Sequence, residues 1–335
     1  MDEGEFASLP TSLRFILAKL LLFSIMARGA SLHTVEPCQD TTPPCAHVPM
    51  CPTTLATSKY SAQHAAAREI ALKAGDVIRN SRDRAQAKVK SGVDLVTEVD
   101  EEVERIVTEY IRSQFPSDLI IGEEDQAENA SGAQGERIPV DKNAWCIDPI
   151  DGTTNFVHNY PFFCVSIGYC FGGLPKVGVI YIPSSDSLYE AVEGCGAHLN
   201  GTKLSVDSAT GVQDALLVNN IGDHRETDFV DESAERVRKW LRAGLRGYRS
   251  SGSAAINMAH VASGIVSCYY EHGYGGPWDV CAGLVLVQEA GGLAKNASDG
   301  SSFVLSYGRG SICTGNESVV DDVIKVAGKP KVEFV

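Results

Sequence analysis

The stretch from Trp145 to His158 constrains this chain more than any other part of its sequence. Its first three residues are apolar and predict the end of a buried strand. Asp148 and Asp151 then follow, three positions apart across the rigid ring of Pro149. Two carboxylates held this close repel each other unless a cation lies between them. Hard oxygen ligands of this kind suit Mg²⁺.

An anion site is predicted directly after these acids. If Gly152 and Thr153 open a helical turn, their N–H groups point outward and can bind an anion. Metal ligands and an anion site in one loop indicate phosphate chemistry. An ordinary turn rich in Asp and Thr is the alternative when the motif is considered alone, so the rest of the chain must decide.

Length and charge narrow the class of protein. The chain has 335 residues, of which 44% are hydrophobic, enough for a large core. The formal net charge of −14 argues against nucleic acid as a partner, because binding a phosphate backbone needs a basic face. A small phosphorylated substrate stays compatible with this charge where metal ions invert it locally.

Cysteine usage and the N-terminus bear on the compartment. None of the ten cysteines forms a C-x-x-C pair, which argues against a structural zinc site and favours buried thiols in a reducing, cytoplasmic environment. The apolar run at 15–27 is shorter than the roughly 20 residues that span a bilayer, so no stable membrane span is predicted. It also fits the core of a secretion or targeting signal, which stays the alternative.

Composition predicts an N-terminal leader and, where it turns polar near 206–214, a boundary between two lobes. The leader is predicted to be disordered or a targeting segment, with order beginning near Tyr60 and a helix over 60–80. Short apolar runs separated by glycine predict antiparallel strands at 163–171, 176–182, 188–192 and 196–199. The later alternation of strands and helices indicates a layered α/β fold.

Several further acids begin or end predicted elements. Thr97 and Asp100 have the spacing of a helix start, so Asp100 is either a capping acid or a carboxylate that polarises a nearby hydroxyl. Glu123 and Glu124 follow a short strand and are either solvated or presented as oxygen ligands. Asp279 starts a helix and is either its N-cap or part of the site.

Two more features were placed by the same reasoning. The segment from Arg249 opens with hydroxyls and glycine and then turns helical, so its start is either a simple Ser cap or a site for an anion or a sugar hydroxyl. A strand over 265–270 is predicted to end at Glu271.

Together these motifs resemble the inositol monophosphatase family, within the lithium-sensitive, magnesium-dependent sugar-phosphatase superfamily. The resemblance covers about 57–328 and implies a layered αβαβα sandwich of the fructose-1,6-bisphosphatase type. It thus implies a leader at 1–56 and a catalytic domain at 57–328, with lobes at about 57–208 and 209–328. The motifs that carry it, in the family order, are Val93-Asp-Leu-Val-Thr97 with Asp100, Gly122-Glu-Glu124, Trp145 to His158, Gly252-Ser-Ala-Ala-Ile-Asn257 and Trp278-Asp-Val-Cys-Ala-Gly283.

The resemblance also implies roles for individual residues. The implied Mg²⁺ ligands are Glu123, Asp148, the carbonyl of Ile150, Asp151 and Asp279. The implied catalytic residues are Thr153 and Asp100, which activate the attacking water, Glu124 near that water, and Lys90 at a mobile loop. The implied substrate residues are Ile150, Asp151, Gly152, Thr153, Gly252, Ser253, Ala254, Glu271 and Asp279.

The implied activity is Mg²⁺-dependent hydrolysis of myo-inositol 1-phosphate by a homodimer, with two or three ions and with Li⁺ as inhibitor. L-galactose 1-phosphate, another sugar phosphate or a nucleotide 3′-phosphate is the alternative substrate. A catalytically silent regulatory relative is the alternative from another class, although all the expected carboxylates are present. No Ser, Cys or His carries a recognisable base and orienting group, so a covalent phosphoenzyme is not implied.

The chain also departs from the family pattern. Residues 272–277 form a loop about one residue longer than usual, with Pro277 in place of a small residue or Cys. The resemblance implies that this loop borders the substrate ring. Cys281 stands where the family usually has Ala, and we interpret it as a small core residue.

Overall fold

A computed structural model describes residues 52–81, 87–91, 94–124 and 134–332. Most of the predicted leader, including the apolar run at 15–27, lies outside these ranges, as does Val93 of the first motif. The helices are α1 Thr53–Ala56, α2 Ser61–Ser81, α3 Glu98–Gln114, α4 Thr153–Val157, α5 Thr227–Arg242, α6 Ala254–Ala262, α7 Pro277–Glu289 and α8 Glu317–Ala327, with a 3₁₀ turn at Val212–Asp214.

The strands form three sheets. Strands β1 Ala87–Ser91 and β2 Asp94–Thr97 pair with each other. A seven-stranded sheet contains, in spatial order, β3 Leu119–Gly122, β4 Ala144–Asp151, β5 Cys164–Phe171, β6 Leu174–Ile182, β7 Ser187–Val192, β8 Ala197–Leu199 and β9 Thr202–Lys203. A five-stranded sheet has the order β11 Gly247–Arg249, β10 Leu216–Asn220, β12 Cys268–Tyr274, β14 Gly310–Gly315 and β13 Leu293–Lys295.

The start of α3 shows how local sequence sets the boundaries of an element. Thr97 is the N-cap, and its hydroxyl oxygen lies 3.2 Å from the amide nitrogen of Val99 and 3.4 Å from that of Asp100. The Asp100 carboxylate accepts a hydrogen bond from the Thr97 N–H at 3.0 Å, which completes a capping box. The predicted helix start is confirmed.

The elements stack in five layers, as a sandwich of helices and sheets. One buried cluster joins α2 and α3 to the seven-stranded sheet, and includes Ile70, Val103 and Trp145. A second lies between that sheet and helices α6 and α7, with Met258 and Leu286 at its centre. A third holds α5 and α8 against the outer face of the five-stranded sheet. The result is the αβαβα order that we predicted.

Two boundaries differ from the predictions. Order begins before Tyr60, because α1 buries Leu55 completely in the core against α2. The predicted loop at 272–277 is wrong for most of its length, because β12 extends to Tyr274 and α7 begins at Pro277. The pairing of β12 with β14 shifts register between His272 and Tyr274, so a β-bulge absorbs the irregularity inside the strand.

The remaining general predictions concern membranes and thiols. No helix in the described part of the chain combines the length and apolarity needed to cross a membrane. The seven described cysteines are not disulfide-bonded, and all but Cys195 are buried, which confirms the prediction of buried thiols for them. Cys38, Cys45 and Cys51 lie outside the described residues.

Candidate active site

A cavity of about 440 Å³ collects most of the residues that the sequence singled out. The predicted residues that line it are Lys90, Glu123, Asp148, Ile150, Asp151, Gly152, Thr153, Gly252, Glu271 and Asp279. The predicted residues that do not line it are Asp100, Glu124, Ser253 and Ala254. The contacts described below show that each of these four is bonded to, or adjacent to, a residue that does.

The end of β4 supplies the floor of the cavity. Asp148 is 2% exposed, and its Oδ1 atom has no hydrogen-bond partner among the described residues. Burial, followed by repulsion from Glu123, Asp151 and Asp279, raises the pKa of Asp148 well above its usual range. A buried, unsatisfied carboxylate oxygen among other carboxylates is costly unless a cation compensates it. The donor set therefore fits a hard metal ion.

Asp151 joins the end of β4 to the start of α6. Its Oδ2 atom accepts hydrogen bonds from the Ser253 hydroxyl at 2.7 Å and the Ala255 N–H at 2.6 Å, and Oδ1 accepts from the Ala254 N–H at 3.2 Å. Burial raises the pKa of Asp151 to about 6, although these donors act in the opposite direction. The anion at the α6 N-terminus is thus a carboxylate of the chain itself.

Ser253 caps α6 and also binds Asp151. Its oxygen donates to Asp151 and accepts from the Ile256 N–H at 3.2 Å, which is the N-cap interaction. Gly252, one residue earlier, places its backbone in the cavity wall. The predicted Ser cap is confirmed, and the site for a sugar hydroxyl stays a prediction.

Asp279 approaches the cavity from the first turn of α7. Its Oδ2 atom accepts hydrogen bonds from the Gly275 N–H at 2.6 Å and the Gly276 N–H at 3.3 Å. The helix begins at Pro277 with Gly276 as N-cap, so the prediction that Asp279 starts the helix is wrong by two residues. Burial and the charges of Asp151 and Glu123 raise its pKa well above the usual range.

Lys90 lies between two glutamates at the edge of the cavity. Its Nζ atom is 2.9 Å from Glu123 Oε1 and 2.5 Å from Glu124 Oε1. Burial lowers the pKa of Lys90, but attraction to these carboxylates outweighs it and raises the pKa overall. Burial, then repulsion from Glu123, raises the pKa of Glu124 to about 8. These two ion pairs connect β1 to the end of β3.

Thr153 places a hydroxyl at the start of α4. Its Oγ1 atom lies 3.1 Å from Asp100 Oδ1 and 3.1 Å from the Ile150 carbonyl oxygen. Asp100 is fully buried, and burial raises its pKa to about 6. Gly152 adopts φ +100°, and a Cβ there would lie 2.9 Å from the Phe162 carbonyl oxygen, so only glycine fits. Asp100 therefore both caps α3 and contacts the Thr153 hydroxyl.

Glu271 lies within β12 rather than at the strand end that we predicted. Its Oε2 atom accepts hydrogen bonds from the Tyr269 hydroxyl and from the Asn220 side chain, the latter at 3.1 Å. Burial raises its pKa to about 7. The neighbouring His272 contacts Ser311 and the Val332 carbonyl instead of the cavity.

The rim of the cavity was missed by sequence reasoning. Arg309 makes a bidentate ion pair with Asp223, at 2.5 and 2.7 Å. Gln134 accepts a hydrogen bond from the Arg309 N–H at 3.0 Å and donates to its carbonyl at 2.8 Å. Asp223 follows β10, which is parallel to β12, and the shared strand direction was a usable signal. Nothing in the sequence marked Arg309 or Gln134.

Comparison with known proteins identifies a family that shares this architecture. A sequence profile of the inositol monophosphatase family matches residues 59–326. Inositol monophosphatase 2 of Solanum lycopersicum is 42% identical over 242 residues, which cover 72% of this chain and 89% of that protein. The profile match at 59–326 spans the cavity residues described above.

Solved structures agree with the layered fold. Inositol monophosphatase from Anabaena (Nostoc) sp. PCC 7120 is 35% identical, with a TM-score of 0.64 over 79% of this chain and 94% of that one. SaIMPase-II was solved with inositol monophosphate bound and with 2′-AMP bound, at 27% and 26% identity, with a TM-score of 0.63 over 79% of this chain and 92% of that one in both cases. The predicted sugar-phosphatase fold is confirmed.

Proposed function

This chain belongs to the inositol monophosphatase family, and we propose on that basis that its cavity hydrolyses myo-inositol 1-phosphate to myo-inositol and phosphate. Membership makes it a metal-dependent phosphatase, a hydrolase of phosphorylated substrates. The observation that carries the proposal is the buried Asp148 Oδ1 atom without a partner among the described residues, next to three further carboxylates. We call Glu123, Asp148, Asp151 and Asp279 the carboxylate cluster.

Two or three Mg²⁺ ions are the proposed cofactors. Glu123, Asp148 and the Ile150 carbonyl would hold one ion, and Asp148, Asp151 and Asp279 another. When bound, such ions neutralise the phosphate charge, lower the pKa of water and stabilise the leaving oxygen. The high pKa values of Asp148 and Asp279 support this assignment, because mutual repulsion leaves these carboxylates in need of positive charge.

The chain's own groups orient the nucleophile and the phosphate. Thr153 is the proposed acceptor of the water proton's hydrogen bond, and Asp100 holds its hydroxyl at 3.1 Å in the required orientation. Glu124 is proposed to assist beside that water, and its carboxylate is held there by Lys90, with Nζ 2.5 Å from Glu124 Oε1. The N–H groups of Gly152 and Thr153 are the proposed phosphate donors.

Substrate recognition is assigned to the opposite wall. Gly252, Ser253 and Ala254 at the start of α6, with Glu271 on β12, are proposed to face the polyol ring. Because Asp151 already accepts the hydroxyl of Ser253 and the N–H of Ala254, these two residues are proposed to act mainly by holding the wall in place. Glu271 offers a carboxylate to ring hydroxyls.

A nucleotide or another sugar phosphate is the second candidate substrate. The structural relative that binds 2′-AMP as well as inositol monophosphate favours keeping it. The ion pair of Arg309 and Asp223 also lines the cavity, so charged groups outside the carboxylate cluster face the same space, which supports the same alternative.

A substrate panel tests the proposal. Phosphate release is measured for myo-inositol 1-phosphate, L-galactose 1-phosphate and a nucleotide 3′-phosphate, with Mg²⁺, with a chelator, and with added Li⁺. We expect the largest kcat/KM for inositol 1-phosphate, loss of activity with the chelator, and inhibition by Li⁺. A higher kcat/KM for the nucleotide would overturn the proposal that inositol 1-phosphate is the substrate. Full activity in the presence of the chelator would overturn the metal assignment.

Three broader assignments are proposals of the same kind. The resemblance favours a homodimer, which sedimentation velocity would test. The two lobes, at about 57–208 and 209–328, correspond to one large sheet each and would be tested by limited proteolysis. A cytoplasmic location, with an N-terminal signal as alternative, would be tested by imaging the full chain with a C-terminal fluorescent tag.

A further inference from the structure

Three cysteine side chains from distant parts of the sequence meet inside the protein. Cys146 lies on β4, Cys170 on β5 and Cys281 on α7. Their sulfur atoms all lie within 4.8 Å of one another, and each side chain is completely buried. The sulfurs of Cys170 and Cys281 are 3.5 Å apart. We call these three residues the thiol cluster.

The fold builds the thiol cluster from a strand register and one glycine. In the pairing of β4 with β5, Cys146 lies opposite Gly168, and Ala144 lies opposite Cys170. The two cysteines are therefore diagonal neighbours on one face of the sheet. A Cβ on Gly168 would lie 2.4 Å from the Cys281 sulfur, so the third thiol occupies the space that this glycine leaves.

Sulfur ligands select soft metal ions, whereas Mg²⁺ and Ca²⁺ prefer oxygen. A structural zinc site needs four ligands, and among the described residues no further Cys, His, Asp or Glu joins these three. A metal–sulfur bond of about 2.3 Å places the sulfurs of a three-coordinate site about 4.0 Å apart. The observed spacing fits that geometry after small side-chain rotations.

We propose that Cys146, Cys170 and Cys281 bind one soft, thiophilic metal ion, of which monovalent copper is the expected class. All three thiols would bind as thiolates and release their protons to solvent, because the thiolate is the metal ligand. With Cu(I) bound, the three thiolates leave a net charge of −2 in the core. No electron is transferred, because the ion enters already reduced and the thiols stay reduced.

The test uses the full chain, kept anaerobic and reduced, and Cu(I) supplied in competition with the chromogenic chelator bathocuproine disulfonate. We expect one tightly held equivalent that excess Mg²⁺ does not displace. X-ray absorption of the loaded protein should show only sulfur around the copper. The Zn²⁺ binding that Cys281→Ala removes should be weaker than the Cu(I) binding that it removes, since a fourth ligand is missing. Tighter binding of Zn²⁺ at these thiols would overturn the assignment to monovalent copper.

Matched variants locate the bound ion. Cys281→Ala and Cys146→Ala should each lose the tight equivalent. Cys268→Ala with Cys313→Ala removes another buried pair, whose sulfurs are 3.4 Å apart, and should keep it. A triple variant at Cys38, Cys45 and Cys51 should also keep it.

Several results would overturn the proposal. One is a tightly bound Cu(I) equivalent that is still present in Cys281→Ala. Another is a Cu(I) equivalent that is lost in the triple variant at Cys38, Cys45 and Cys51. Nitrogen or oxygen ligands in the X-ray spectrum of the unmodified chain would do the same, and this measurement does not depend on any variant folding. Circular dichroism of each variant confirms that a lost equivalent does not reflect unfolding.

Discussion

The carboxylate cluster and the thiol cluster share one strand and one helix, with opposite surroundings. Asp148 lies two residues after Cys146 on β4, and Cys281 lies two residues after Asp279 on α7. The carboxylates line an open cavity, whereas the thiols are sealed in the apolar core. Asp148 and Asp279 lie at the cavity end of β4 and α7, and the thiols lie further into the core. This position decides whether water and hard ions reach a residue. Side chains only two residues apart can therefore lie in sites with different chemistry.

Removing the central carboxylate should have the largest effect. We expect Asp148→Asn to lower kcat by more than about 10³-fold, the scale on which losing one group at the developing charge acts. Mg²⁺-dependent phosphate release measures it. Asp118→Asn is the control, because that carboxylate binds Asn143 and Trp145 at the other end of β4. Full Mg²⁺-dependent turnover in Asp148→Asn would contradict the role of the cluster.

Removing the hydroxyl at the start of α4 should have the next largest effect. Thr153→Ala is expected to lower kcat by about 10²-fold, because the water loses an oriented hydrogen-bond acceptor. KM should change little, since the backbone N–H groups stay. Thr153→Ser keeps the hydroxyl and should restore most of the activity. A serine variant as slow as the alanine variant would show that the hydroxyl is not the active group.

A substitution beside the thiol cluster should change the stability of the protein rather than its turnover. Gly168→Ala places a methyl group against Cys281 and should cost about 1–3 kcal/mol of unfolding free energy through overpacking. Urea unfolding measures it. The same substitution should cost less unfolding free energy in a Cys281→Ala background than in the unmodified chain, because the sulfur atom that it meets is then absent. Strict additivity of the two changes would argue against direct contact.

The smallest effect concerns pH. Burial raises the pKa of Asp151 from 3.8 to about 6, so the folded state binds its proton more tightly than the unfolded state. The metal-free protein should therefore lose stability as pH rises from about 4 to about 6. Bound Mg²⁺ would displace that proton and compensate the charge.

The increase in Tm caused by Mg²⁺ should consequently be larger at pH 7 than at pH 5. Scanning calorimetry at both pH values measures it, with KCl at equal ionic strength as the control for screening. An increase that is the same at both pH values would show that no carboxylate proton is displaced.

Local signals predicted most of the fold. The capping box of Thr97 and Asp100 and the alternating strands after 163 depend on neighbouring residues, and the structure confirms both. Boundaries failed where tertiary pairing extends an element, as at β12, which continues past Glu271 because β14 supplies hydrogen bonds. The periodicity of one segment carries no information about a partner strand that lies about 40 residues away along the chain.

The candidate site was predictable where chemistry is carried by motifs. The acids of the carboxylate cluster stand in recognisable local contexts, and all four line one cavity. Arg309 and Gln134 have no such context, because only chain folding brings them to the rim. The thiol cluster was invisible for the same reason: its members are 24 and 111 residues apart along the chain, and ligand-spacing rules search only short intervals.

The position of Asp151 restricts how such a protein can diverge. Three donors at the start of α6 hold its carboxylate, so a substitution there would disturb the alignment of β4 with α6 together with the chemistry. Asp223 and Arg309 bind each other at the rim, away from that junction. New substrate preferences are therefore expected to arise by paired exchanges at the rim while the floor of the cavity stays unchanged.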